Sequence, residues 1–208
     1  MIAVRALLWL ALALAAAAVD VHVEPAGDWA GHVEAAGAGT VVVFAPGRYE
    51  GCSTGGFVLA SGVALLGSGG AAATVVDCGG AGRHFLVNGS VDVRIDGLTL
   101  TGGGNSTGGG CVLVEGHGGS VVVADSVFSN CSTTAWGGAI AVRGGAALNI
   151  SRSNFTGNRA GEGGGAIHVA AGATLLVEGP ATFVRNSARD GGAVHAVDMS
   201  RSGHHRPG

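Results

Sequence analysis

Pairs of residues with chemistry to offer stand about one repeat of 27 residues apart in this chain: acid with arginine, histidine with histidine and, for one pair, cysteine with cysteine. Asp92, Asp96 and Asp125 fall on a series of short apolar stretches, where paired carboxylates could act as general acid and base on a sugar. Yet Asp125 stands one repeat before Arg152, and Glu115 one repeat before Arg143. If equivalent positions stack, these acids are surface ion pairs worth at most about 1 kcal/mol. Glycoside hydrolysis needs two acids facing each other across the sugar. His168 and His195 are also one repeat apart, close enough to share a metal ion, but no third ligand accompanies them. The chain contains no Lys. A lyase must abstract a proton beside a neutralised carboxylate, and no segment supplies both groups. The residues lean against an enzyme: no catalytic, cofactor-binding or metal-binding residue is assigned, and no cofactor is expected.

Four cysteines, Cys52, Cys78, Cys111 and Cys131, allow three pairings in an oxidising compartment. Cys52 and Cys78 are separated by close to one repeat, whereas Cys111 and Cys131 are nearer in sequence, at different phases of the repeat, and bond only if a loop folds back. No Cys-x-x-Cys metal spacing occurs. Five of the seven Asn residues open glycosylation sequons: Asn88, Asn105, Asn130, Asn149 and Asn154. Asn149 alternates with Leu148 and Ile150 and should face outward, and Asn105 sits in a Gly/Ser/Thr loop.

The elements that position these residues repeat. Gly-Gly-Ala triplets begin at Gly137, Gly164 and Gly191, at equal intervals, and each follows a Phe, at Phe128, Phe155 and Phe183. A period of this length signals a solenoid or propeller. The apolar series Phe57, Phe85, Val112, Ile140, Ile167 and Val194 is spaced 28, 27, 28, 27 and 27, with a parallel series two positions on from Leu59 to Ala196. Such period-2 partners share one strand face, so six inward rungs are expected. A second strand follows each Gly-rich corner, over 63–66, 91–95, 121–123, 148–150 and 175–177, and a less regular third side follows each Phe. Stacking at about 4.8 Å would place the three Phe rings in a core ladder and let Asn158 and Asn186 hydrogen-bond along a bend. The Gly-Gly pairs read as backbone corners, because a phosphate loop would need a Lys or a following helix.

Phe155-Thr-Gly-Asn158 with Gly164-Gly-Ala-Ile167, and Phe183-Val-Arg-Asn186 with Gly191-Gly-Ala-Val194, resemble the repeats of the polymorphic outer-membrane proteins. They are similar, more broadly, to secreted pectin-lyase-like proteins. The copy at Phe128 departs from the pattern, with Cys131 in place of Asn. The resemblance spans roughly residues 40–199 and implies an all-β fold, a single-stranded right-handed parallel β-helix with coils of about 27 residues. That fold also hosts polysaccharide lyases and hydrolases, and Gly116-His117-Gly118 is similar to a triplet of the polygalacturonases. His117 nevertheless falls at a corner between strands, and the acidic and Arg/Lys elements that accompany the triplet in those enzymes are missing.

Composition agrees with a solenoid: 41 Gly and four Pro without a Gly-X-Y period, 47% hydrophobic and 12% charged residues. The net charge of −3 and scattered Arg leave no basic patch, so no nucleic-acid partner is expected. The expected organisation is a signal peptide at 1–18, an N-terminal cap and first strand at 19–55, β-helix coils at 56–199, and a disordered tail or truncation point at 200–208. No membrane span is expected in the chain, and the product should be secreted or held at the cell surface. The last rung lacks a cap, as in a fragment of a longer array. Outward of the first strands lie Val58, Leu86, Leu113, Ala141, His168 and His195, an apolar line that residues 19–40, with Trp29 and Val33, should cover. The functional expectation is a non-catalytic adhesive protein contacting a glycan, a cell-wall or matrix component, or a surface protein. The alternative is a polysaccharide lyase or glycoside hydrolase.

Overall fold

The computed structural model describes residues 19–197, so the signal peptide expected at 1–18 and the tail expected at 200–208 lie outside the described residues. The chain opens with β1 (Asp20–Val23), a short helix α1 (Trp29–Glu34), β2 (Val41–Phe44) and β3 (Gly47–Glu50). The next coil holds β4 (Phe57–Val58), β5 (Ala64–Gly67) and β6 (Thr74–Asp77). It is followed by β7 (Phe85–Asn88), β8 (Asp92–Asp96), β9 (Thr99–Thr101) and a short β10 (Gly104–Asn105). The same order repeats in β11 (Val112–Glu115), β12 (Ser120–Ala124), β13 (Val127–Ser129) and β14 (Ser132–Thr133). Then come β15 (Ile140–Arg143), a long β16 (Ala147–Thr156) and β17 (Arg159–Ala160). The described part closes with β18 (Ile167–Val169), β19 (Thr174–Val184) and β20 (Val194–Ala196).

The strands pair in parallel with their equivalents one coil away, which makes a parallel β-solenoid. β4, β7, β11, β15, β18 and β20 form a six-stranded face whose register aligns Phe57, Phe85, Val112, Ile140, Ile167 and Val194. The second and third faces meet in one 11-stranded sheet because β16 and β19 run through the corner between them. β10, β14 and β17 line the short fourth side that leads back to the first face. The second face begins at β1 and β2, so residues 19–55 contribute three strands to the solenoid as well as a helix.

Alternation sets the core. Inward residues such as Leu65, Ile95, Val123, Ile140 and Ile167 are fully buried. The Phe128 and Phe155 rings stack at 5.0 Å between centroids, as do Phe155 and Phe183. Among the described residues, four non-glycine residues hold positive φ: Asp125 at 46°, Asn130 at 52°, Arg152 at 44° and Arg185 at 55°. Asp125 and Arg152 are equivalent residues of one corner, and Asn130 and Arg185 of another, so the strain of the left-handed region falls where the solenoid must turn.

The first and last described coils are built differently. At the start, Asp28 caps α1 by accepting from Gly31 N at 2.9 Å. The helix buries Trp29 and Val33, with Trp29 against Phe44, Tyr49 and Phe57. Here α1 closes the open first coil as a plug. At the other end Phe183 and Leu175 are only partly buried, and Val177 and Val194 are exposed.

Candidate functional site

Among the described residues, neither acids nor histidines assemble into a catalytic cluster. Asp125 takes a two-pronged ion pair from Arg152 on the next coil, Nε to Oδ1 at 2.7 Å and the terminal nitrogen to Oδ2 at 2.6 Å. Arg152 thereby holds the Asp125 carboxyl below its usual range. Glu115 pairs with Arg143, Asp77 with Arg48, and Asp96 with Arg94 on its own strand. Asp92 accepts from Ser120 N at 3.1 Å and Ser120 Oγ at 2.6 Å. His117 lies exposed at the corner between β11 and β12. The carbonyl of His117 accepts from the hydroxyl of Ser90.

The outward line of the first face is covered, but not by residues 19–40. Trp29 and Val33 point into the end of the core instead, because an uncovered terminal coil exposes more apolar surface than one strand face does. The cover is backbone from the Gly-Gly loops. A side chain at Gly137 would strike the carbonyl of Ile140, and one at Gly138 the carbonyl of Gly165. Only a residue without Cβ fits this approach, and Gly137 also holds φ at 71°. Leu113 and Ala141 are buried beneath these loops, while Val58, at the start of the line, stays 60% exposed.

Trp136 completes the cover by lying over His168 and His195, at 4.8 and 5.2 Å between centroids. The two imidazoles meet with Nδ1 atoms 3.2 Å apart. One Nδ1 must carry the proton and the other accept it. Burial, and repulsion from His195, push the His168 pKa down to about 4.

The cysteines form two disulfides, Cys52 with Cys78 and Cys111 with Cys131. The second bond closes within a single coil, because one circuit of the solenoid brings the chain after β13 back beside the start of β11. His84 is buried near Cys52 and Cys78, with Nε2 3.0 Å from Val76 O and Nδ1 unpartnered. Both thiols are consumed by the disulfide, so this trio offers no thiolate to a metal. Burial lowers the His84 pKa to about 4.

Asn158 and Asn186 hold the bend after the Phe ladder. Asn158 Nδ2 donates to Phe128 O at 3.0 Å, and its Oδ1 accepts from Cys131 N at 3.0 Å. Asn186 repeats the arrangement one coil on, donating to Phe155 O at 2.9 Å and accepting from Asn158 N at 3.0 Å. Where Asn is replaced by Cys131, the bend is held by the disulfide instead. Of the sequon residues, Asn88, Asn130 and Asn154 are exposed and Asn105 and Asn149 are half-buried. Asn105 Nδ2 donates to Thr54 O at 3.1 Å.

Directly after this bend, the fourth side gathers what the sequence presents as scattered. Arg159 and Arg189 share this side across the last two coils and line a groove of about 370 Å³ with Ala160, Gly161, Ser187 and Ala188, and Arg185 stands at the corner just before it. Among the described residues the ion pairs occupy Arg48, Arg94, Arg143 and Arg152 only. Arg83 is buried and donates to the carbonyls of Gly55, Gly108 and Gly109, with its pKa pushed down to about 10 by burial. Arg159, Arg185 and Arg189 therefore differ from the other described ones. Sequence reasoning missed them because each sits at a different phase of the repeat.

Residues 152–170, which contain Phe155, Asn158 and the Gly164–Ile167 turn, match the Chlamydia polymorphic membrane protein repeat. No curated protein and no solved structure matches the chain. No helix among the described residues is long and apolar enough to cross a membrane.

Proposed function

We propose that this β-helix repeat protein is a secreted or cell-surface adhesive protein that contacts a glycan, a matrix or cell-wall component, or a surface protein through its outer faces, without turning it over. The observation that carries this reading is the bonding of the outward acids. Asp125, Glu115, Asp96 and Asp77 are each matched to an Arg, and Asp92 to Ser120, which leaves no facing pair of carboxylates among them for acid–base work on a sugar. Two disulfides suit an oxidising, extracellular compartment. The repeat match supports a surface location. Residues 1–18 serve in this reading as the signal peptide, and the exposed sequons at Asn88, Asn130 and Asn154 carry glycan in a eukaryotic host.

The test is binding against turnover. On pectin, polygalacturonate and alginate, with and without Ca²⁺, the secreted protein should release no unsaturated sugar ends or reducing ends, while it binds components of a glycan and matrix array. Release abolished by Asp92→Ala would replace this reading with a lyase or hydrolase. Absence of binding to any glycan, matrix or cell surface would end the adhesive reading.

A further inference from the structure

We propose that the row formed by Arg185 at the corner and Arg159 and Arg189 on the fourth side that follows is a binding site for an acidic glycan, a sugar polymer bearing carboxylate or sulfate groups. The inference rests on the glycan-contact reading above and names the ligand class and the residues.

The row follows from register. β17 pairs with β14, and Arg159 is bridged to Ser187 on the following coil. The pairing of Thr156 with Val184 places Arg185 next to Gly157, and Arg189 shares the groove with Gly161. Each arginine thus neighbours a glycine or a serine on the adjacent coil. That alternation lets three guanidinium groups occupy a strip two coils wide without stacking one cation on another. An extended chain rises about 3.3 Å per residue, so the row spans at most about 13 Å from Arg185 to Arg189. A strip of that length suits several anionic groups along a chain better than one isolated anion.

All three side chains are exposed. None forms an ion pair or side-chain hydrogen bond among the described residues, whereas every other described arginine is occupied. The nearest acids in the chain, Glu162 and Asp190, make no ion pair with them: the Asp190 backbone N–H donates to Glu162 O at 2.8 Å, and Gly163 is bridged to Asp190. Guanidinium groups bind carboxylate and sulfate through paired N–H donors. Ser132 and Thr134, one coil back, are exposed beside the row and present hydroxyls of the kind that exchange hydrogen bonds with sugar hydroxyls. Trp136, in the loop after Thr134, stacks on His168 and His195 and is not among the residues that line the groove, which carries no aromatic ring to stack a nucleobase.

The experiment is calorimetric titration of the intact secreted protein with four probes of matched length: a heparin-derived octasaccharide, an oligogalacturonate, a desulfated neutral oligosaccharide and a single-stranded oligonucleotide. One or both acidic sugars should bind, which tells sulfate from carboxylate recognition, and affinity should fall as salt rises. Arg159→Gln with Arg189→Gln should raise Kd at least about tenfold. Arg152→Gln, which removes one charge at a paired corner, should change it less than about twofold. Unchanged circular dichroism and melting of the double variant exclude a folding defect, as expected for exposed side chains. Equal losses from both sets of changes, no binding of either acidic sugar, or tighter Arg159-dependent binding of the oligonucleotide would each overturn the proposal. Binding of the neutral sugar alone would overturn it while leaving the adhesive reading intact.

Discussion

Two corners of the same coil use arginine in opposite ways. At the turn between the second and third faces, Asp125 and Arg152 occupy equivalent positions on successive coils, and their charges cancel through two short hydrogen bonds. Beyond the next turn, Arg159 faces Ser187, so its charge has no counterpart across the coil boundary. A ladder position in a solenoid is occupied once per coil, about 4.8 Å apart. Opposite charges there neutralise the surface, and a charge set against a small neutral residue persists. The comparison separates a corner that holds the fold from a side left free to meet a ligand.

The largest expected effect comes from breaking the bend that separates the two corners. Asn158→Leu keeps the branched outline but loses the bonds to Phe128 O, Cys131 N and the Asn186 amide in a fully buried setting. Leaving those partners unsatisfied should cost about 3–4 kcal/mol in urea denaturation. It should also weaken acidic-glycan binding, because Arg159 follows directly in the chain. A cost below about 1 kcal/mol would show that the bend does not depend on the amide.

Acid should act next. His84 and His168 have native pKa values pushed down from 6.5 to about 4, so both are neutral when folded. Between those two values the unfolded chain binds more protons, and stability falls as pH drops from 6.5 to 4. The loss should be complete below the folded values, with an upper bound of about 3 kcal/mol for buried His84. Denaturation midpoints measured at neutral pH and at two steps down towards the folded pKa read this directly, and His84→Gln should flatten the profile. Asp125 adds to the same trend at lower pH: its depressed pKa contributes stability that is lost as the carboxyl protonates.

The smallest effect sharpens the comparison most. Asp125→Asn removes an exposed ion pair and should cost less than about 1 kcal/mol. It also leaves Arg152 unpaired, as Arg159 is. If one freed guanidinium were enough for glycan capture, heparin affinity would rise. The expected change is under about twofold, because Arg152 has no neighbouring unpaired cation in a shared groove. A clear gain would mean that unpaired charge, and not the three-arginine row, decides binding.

Much of the fold was legible in the sequence. The Phe57-to-Val194 series, read only from alternation and a recurring period, coincides with the hydrogen-bonded register of the six-stranded face. Each coil repeats a pattern that its own short strands enforce, since a slip by a single position would turn Ile140 or Ile167 outward. The Gly-Gly pairs were legible as corners. Their tight packing over Ile140, which covers the first face, was not, because approach of backbone to backbone leaves no mark beyond the glycine itself.

The sequence by itself determined the period, the inward residues and the expectation that Asp125 meets Arg152, because these depend on equivalent positions stacking one coil apart. Only the tertiary structure decided that α1 plugs the end of the core, that Trp136 covers the histidine pair, and that Arg159 and Arg189 share one groove. The physical reason lies in the loops. Arg159 is bridged to Ser187 and Gly163 to Asp190, so the stretch between the two bridges is shorter by a single position on the later coil, and that difference decides which side chains become neighbours.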